Sequence, residues 1–167
     1  MFPPHLIEMS ASLLDRLRAA NLKLVTAESC TGGLVVGVLT EIAGSSDVVE
    51  RGFVTYSNAA KMELLGVPEV MLAEHGAVSE PVARAMAQGA LAHSHADVAV
   101  SITGIAGPGG GSAAKPVGLV HIAAAKRGGP VLHQECRFGD IGRGPIRLAS
   151  VEVALQLVAR AAEGSAP

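Results

Sequence analysis

Aromatic residues make up only 2% of the 167-residue chain, with no Trp, one Tyr and three Phe. A core so poor in rings has to be built from Ala, Val, Leu and Ile. It also leaves no row of aromatic platforms on which single-stranded nucleic acid can stack. An excess of one charge is missing too: 13 Lys and Arg stand against 15 Asp and Glu, for a formal net charge of −2 and a pI near 6.3. That balance gives no basic footprint for DNA or RNA. The two cysteines, Cys30 and Cys136, are too few for a disulfide framework and fit free thiols in a reducing cytoplasm. No apolar run reaches the ~18 residues of a membrane span, and Met1-Phe2-Pro3-Pro4 lacks the basic start of a signal peptide. A soluble cytoplasmic protein without nucleic-acid or membrane partners is expected.

Apolar residues are plentiful, at 49% of the chain and a mean hydropathy of +0.40. A sizeable core is available, and global disorder is excluded. The length is close to the ~150 residues usual for one domain, so residues 1–167 read as a single unit.

Leu6, Ile7, Ser10, Leu13, Leu14 and Leu17 fall near helical spacing and predict an amphipathic helix over 4–20. Residues 22–26 form a short apolar strand. A small-residue turn then leads into a helix over 34–42. Residues 48–56 carry β-formers; Asn58 is placed to cap a helix over 59–65, and Gly66 to end it. A short helix over 68–74 precedes an Ala-rich helix running to about residue 92, opened by Ser79-Glu80-Pro81. Residues 98–102 read as a buried strand. The stretch 103–112 is so dense in Gly and Pro that a loop is expected throughout. Residues 117–125 and 131–138 read as a hairpin around Gly128-Gly129-Pro130, 146–162 as the closing helix, and the tail 164–167 as frayed. The hairpin is too tight for a helical crossover, so the sheet is mixed. The expected fold is α/β, a three-layer α/β/α sandwich on about five strands.

Three stretches carry candidate chemistry. In Thr26-Ala27-Glu28-Ser29-Cys30-Thr31-Gly32-Gly33, a serine stands at a strand-to-helix turn beside N–H groups that attract a developing oxyanion or a phosphate. By position alone, Ser29 or Thr31 serves equally well as a helix cap. Cys30 is either a thiol activated at a helix start or a small buried apolar residue. In Tyr56-Ser57-Asn58-Ala59-Ala60-Lys61, burial or a neighbouring cation would make Lys61 a general base, and Ser with Lys is a known nucleophile pair; the alternative is a solvated surface lysine. Tyr56 is placed to hydrogen-bond a nucleophile, to stack on a flat substrate, or to cap the core. The third stretch, Thr103 to Ser112, lacks the Gly-Lys-Ser/Thr of a P-loop, yet its amides suit an anion nest. Arg143 and Arg147, at the start of the last helix, oppose its dipole, which favours an anion partner for one of them. The six histidines are scattered, and only His93-Ser94-His95 pairs closely in sequence, with no third metal ligand in view.

Taken together, the 26–33 stretch, Tyr56-Ser57-Asn58 with Lys61, Gly76-Ala77-Val78-Ser79-Glu80 and Thr103-Gly104-Ile105-Ala106-Gly107-Pro108-Gly109-Gly110 closely resemble the CinA C-terminal domain family, from about residue 6 to residue 160. The family contains nicotinamide-nucleotide amidases, which hydrolyse nicotinamide mononucleotide to nicotinate mononucleotide and ammonia in pyridine-nucleotide salvage. The resemblance implies Ser29 as nucleophile, Lys61 as its base and Tyr56 at the catalytic centre. It further implies substrate contacts from Glu28, Cys30, Thr31, Gly32, Thr103, Gly104, Gly107 and Arg143. Arg143 matches a basic residue that many members place directly after a Gly-Asp pair; here Ile141-Gly142 follow Gly139-Asp140 and lengthen the loop. No metal or cofactor is implied, a pyridine mononucleotide is the expected partner, and members tend to form homodimers. Longer members carry an additional N-terminal nucleotide-processing domain, which this sequence is expected to lack. Two alternatives stay open: an amidase for another small amide, and a non-enzymatic binding module, since members are also linked to competence and recombination.

Overall fold

In the computed structural model, which describes residues 2–164, the strand β1 (Leu24–Glu28) is buried along its whole length between two parallel neighbours, β2 (Val49–Val54) and β3 (Val98–Gly104). A strand covered on both faces takes a continuous apolar run rather than an alternating one, as Leu24 and Val25 begin to do. β4 (Leu119–Lys126) pairs antiparallel with β3, and β5 (Val131–Arg137) antiparallel with β4. The sheet order is β2-β1-β3-β4-β5, mixed as expected.

Six helices cover the two faces. α1 (Pro4–Ala19), α2 (Leu34–Thr40) and α6 (Arg143–Ala162) pack on one side, and α3 (Asn58–Leu65), α4 (Glu69–His75) and α5 (Glu80–Ala92) on the other. Alternation along the strands divides the core. Val98, Val100 and Ile102 of β3 and Val120 and Ile122 of β4 face the α1/α2/α6 layer. The opposite face presents Ala27, Ala99, Ala123 and Ala125 to Ala83, Ala87 and Ala90 of α5. Small residues on both surfaces let α5 lie close to the sheet, and at Gly89 the Leu65 carbonyl of α3 occupies the place a Cβ would take. The scarcity of aromatics is thus matched to a closely packed layer.

Several boundaries differ from expectation. β3 runs on through Thr103 and Gly104, which pair with His121 and Val120, so the Gly-rich loop starts only at Ile105. Gly104 can stay in the ladder because Val120 approaches so closely that any Cβ would clash with it. β2 ends at Val54, two residues early, which frees Thr55 and Tyr56 for the site below. Ser57, not Asn58, caps α3: its hydroxyl accepts the Ala60 N–H at 3.0 Å, while Gly66 ends the helix at φ 66° as expected. Ser79 stands at the N-cap of α5 but turns its hydroxyl back to donate to Gly76 O. α6 begins at Arg143, three residues early, because Pro145 is tolerated in a first turn. Residues 165–167 of the expected frayed tail lie outside the described residues. Among the described residues, no helix is long and apolar enough to cross a membrane.

Candidate active site

The three parallel strands β1, β2 and β3 end together, and the chain leaves β1 for α2 and β2 for α3, in opposite layers. Ligands of open α/β sheets bind at such carboxyl ends. Ser29 follows β1 directly, with its N–H donating to Ile102 O of β3 at 2.9 Å. One strand away, the Thr55 N–H donates to Glu28 O at 2.7 Å, which ties the end of β2 to the Ser29 turn. Ser57 then starts α3, and Lys61 comes one turn inside it. Helical side chains lean toward the N-terminus, so Lys61 reaches back over that turn to the end of β1.

Lys61 is 1% exposed. Its Nζ lies 3.0 Å from Ser29 Oγ, 2.9 Å from Thr55 O and 3.4 Å from Tyr56 O. A neutral amine has two N–H groups and one lone pair. With Lys61 neutral, its two N–H groups would go to the two carbonyls and its lone pair to the serine hydroxyl. Burial lowers the Lys61 pKa from its ordinary value. Cys30 works the other way on Lys61, but burial outweighs it and also pushes the adjoining thiol itself up to about 12. A thiol buried in this way matches the small buried residue of the two alternatives rather than the activated one.

Glu28 is fully buried, and its carboxylate accepts from Gly33 N at 3.0 Å, Val35 N at 3.1 Å and Val36 N at 2.9 Å. It is the cap of α2, in place of Ser29 or Thr31. The first amides of that helix are therefore occupied by Glu28 and are closed to a substrate anion. Gly32 N donates to Ser29 O, whereas among the described residues the N–H groups of Cys30 and Thr31 donate to no backbone carbonyl.

A cleft of about 260 Å³ opens over Ser29 and Lys61, walled also by Cys30, Tyr56, Thr103, Gly104, Gly107 and Arg143. Three residues expected to touch substrate lie outside it. Glu28 is spent on α2, Thr31 is fully buried, and Gly32 adopts a left-handed turn (φ 60°) packed toward the Arg147 guanidinium. Thr103 sits at the wall with its hydroxyl donating to Ala77 O at 2.8 Å. Arg143 donates from Nη1 to Gly107 O at 2.8 Å and from Nη2 to Tyr56 Oη at 3.0 Å, spanning the mouth of the cleft. Asn58, Ala77 and Val78 join the wall as well. Asn58 was expected only as a helix cap, and the Gly76-Ala77-Val78 run signalled itself only through the resemblance. The same helix start supplies Arg147, whose guanidinium donates to the Cys30 and Thr31 carbonyls of the turn after Ser29.

Comparison with known proteins follows the same lines. Residues 6–162 match the CinA C-terminal domain model. The chain is 52% identical over 157 residues to a nicotinamide-nucleotide amidohydrolase, PncC, of Escherichia coli K12, covering 93% of this chain and 94% of that protein. It is likewise 52% identical over 153 residues to a CinA-like protein of Syntrophus aciditrophicus, where the match takes in 90% of this chain but only 36% of the longer relative. Among solved structures, the competence/damage inducible protein CihA of Agrobacterium tumefaciens superposes with a TM-score of 0.93 at 57% identity, over 94% of this chain and 95% of that one. With the motifs, the five-stranded sheet and the sequence match all in agreement, the chain belongs to the CinA C-terminal domain family.

Proposed function

We propose that the protein hydrolyses the carboxamide of nicotinamide mononucleotide to give nicotinate mononucleotide and ammonia, with Ser29 as nucleophile and Lys61 as base. The observation that carries this reading is the buried Lys61 Nζ at 3.0 Å from Ser29 Oγ, with the Thr55 and Tyr56 carbonyls beside it at 2.9 and 3.4 Å. The named PncC relative, matched over nearly its whole length, supports the substrate.

Lys61 takes the Ser29 proton as Oγ bonds to the carboxamide carbon, giving a tetrahedral oxyanion. The uncommitted N–H groups of Cys30 and Thr31, or amides of the loop after Ile105, stabilise that charge; one such donor is worth ~2.7 to 4 kcal/mol of barrier. The C–N bond then breaks, the Lys61 ammonium returns its proton to the leaving nitrogen, and ammonia departs. Water adds to the acyl-enzyme with Lys61 again accepting the proton, and collapse releases the carboxylate and restores Ser29. The pyridinium charge of the substrate keeps Lys61 neutral by like-charge repulsion. Arg143 retains donors beyond the two bonds it makes, and these, with the Gly-rich loop, face the substrate phosphate. Tyr56, bonded to Arg143, forms the lip against which the flat ring rests. The same reading takes the protein to be a cytoplasmic homodimer that needs no metal or cofactor.

Ammonia release from nicotinamide mononucleotide by the purified protein, beside Ser29→Ala, tests the proposal. Release that disappears in the variant is expected. A folded wild-type protein that releases none would move the reading to a binding module or a different amide.

A further inference from the structure

Arg147 stands on α6, 118 positions after Ser29 in the sequence, and takes no part in the chemistry just described. Its Nε donates to Cys30 O at 3.0 Å and its Nη2 to Thr31 O at 2.8 Å. These are the carbonyls of the two residues that follow the nucleophile. Among the described residues, Arg147 forms no ion pair with a carboxylate, and it lies near the start of a helix, where the dipole opposes a cation. The two carbonyls are what offsets that cost.

A planar trans peptide sets its N–H opposite its C=O. Holding the Cys30 carbonyl toward α6 therefore turns the Thr31 N–H away from α6, and that N–H has no backbone acceptor of its own. Holding the Thr31 carbonyl fixes the next peptide, whose Gly32 N–H closes the turn on Ser29 O at 3.0 Å. Gly32 completes the turn in a left-handed conformation, with space for a Cβ limited by the Arg147 Nη2 at 3.5 Å. The guanidinium thus meets every peptide of the 30–32 turn, directly or at one remove. Its fork geometry matches two carbonyls at once, which a lysine ammonium does not reproduce.

We infer that Arg147 is a positioning residue for the nucleophile: by clamping the Cys30 and Thr31 carbonyls to α6 it keeps the Ser29 turn in register with Lys61. The inference rests on the serine-nucleophile reading above. Misplacement of reacting groups by about 1 Å can cost ~100-fold in rate. Substrate contacts are made elsewhere in the cleft, so the loss falls on kcat and not on KM.

The test compares wild type, Arg147→Met and Arg147→Lys by steady-state kinetics on nicotinamide mononucleotide, and by the rate at which a fluorophosphonate reagent labels Ser29. In Arg147→Met, kcat is expected to fall roughly 10- to 100-fold with KM within about twofold, and labelling of Ser29 to slow in parallel. Arg147→Lys should fold and lie between the two. Unchanged kcat and labelling in Arg147→Met, or a rise in KM alone, would overturn the inference. So would a loss of activity in the variants that merely follows the fraction of protein unfolded. If Arg147→Met does not fold, Arg147→Lys decides, and wild-type kcat in that variant overturns the fork. A wild-type enzyme that releases no ammonia defeats the substrate reading alone, since the labelling rate of Ser29 still judges Arg147.

Discussion

Lys61 Nζ meets Ser29 Oγ at 3.0 Å although 32 residues separate them along the chain. The contact exists because β1 and β2 are parallel neighbours whose ends come level, and because α3 starts within four residues of the end of β2. One lysine is buried as a result, at a cost to the fold.

That cost predicts the behaviour of Lys61→Met. The folded pKa of Lys61 lies below its unfolded value of 10.5, so the unfolded chain binds the extra proton and stability rises with pH as the medium approaches 10.5. At neutral pH the wild type carries the penalty, and the variant does not. Turnover should vanish in Lys61→Met while the melting temperature holds or rises, and the alkaline gain in stability seen in the wild type should be missing. Thermal melts across pH, read beside ammonia release, check both. Full activity in the variant would sink the base.

How much of this was legible in the sequence differs from residue to residue. The layers were, because the periodicity of α1, the start signals of α5 and the apolar strands are local features. Ser29, Lys61 and Tyr56 stood out as candidates, yet the residues alone left Lys61 no better than a surface lysine, because its burial depends on β2 lying beside β1. The capping role of Glu28 was hidden for a related reason. The resemblance implied a substrate contact for it, and only the path of α2 shows three amides converging on it. The His121–His133 contact was invisible, since the pair is assembled diagonally across β4 and β5.

Glu28→Gln tests the role of that carboxylate. The substitution keeps the shape but replaces one acceptor oxygen by an NH2 group facing backbone N–H donors. A buried donor left without an acceptor costs roughly 1 to 3 kcal/mol. A fall in denaturation free energy of that size is expected, with α2 the first element to lose amide protection in hydrogen exchange. Wild-type stability would return Glu28 to the substrate-binding set.

Gly89→Ala probes the link between packing and site. A methyl at this position would overlap the Leu65 carbonyl at the end of α3, the helix that carries Lys61. Backbone cannot yield as a side-chain tip does, so α3 must shift away from α5, at roughly 1 to 3 kcal/mol for overpacking. Activity should fall by more than the unfolded fraction explains, because the shift moves Lys61 relative to Ser29. Chemical denaturation and kcat measured on the same preparation separate the two effects.

Both thiols should be inert in the native protein. Cys30 and Cys136 are free and buried, and burial pushes their pKa values to about 12 and about 11. The thiolate is the reactive form, so a disulfide reagent at about pH 8 should titrate neither cysteine until denaturant is added, and then both. Rapid modification of Cys30 in the folded state would reopen it as a nucleophile.

The histidine pair gives the fold an acid limit. His121 on β4 and His133 on β5 stack with ring centroids 5.2 Å apart, and Nδ1 of the first lies 3.0 Å from Nε2 of the second. A hydrogen bond between two nitrogens uses one proton, so a doubly protonated pair would set two N–H groups head to head. Glu80 of α5 and Glu135 of β5 face the rings and favour the charged forms, while Arg84 and Lys115 oppose them. Burial outweighs these charges and lowers both pKa values below the ordinary 6.5. The unfolded histidines therefore take up protons first as pH falls below 6.5, and stability that is complete above that value drains away beneath it. Melting temperature should decline as pH falls below 6.5 in the wild type and more gently in a His121→Gln, His133→Gln double variant. Equal acid slopes in the two proteins would show that other groups set the limit.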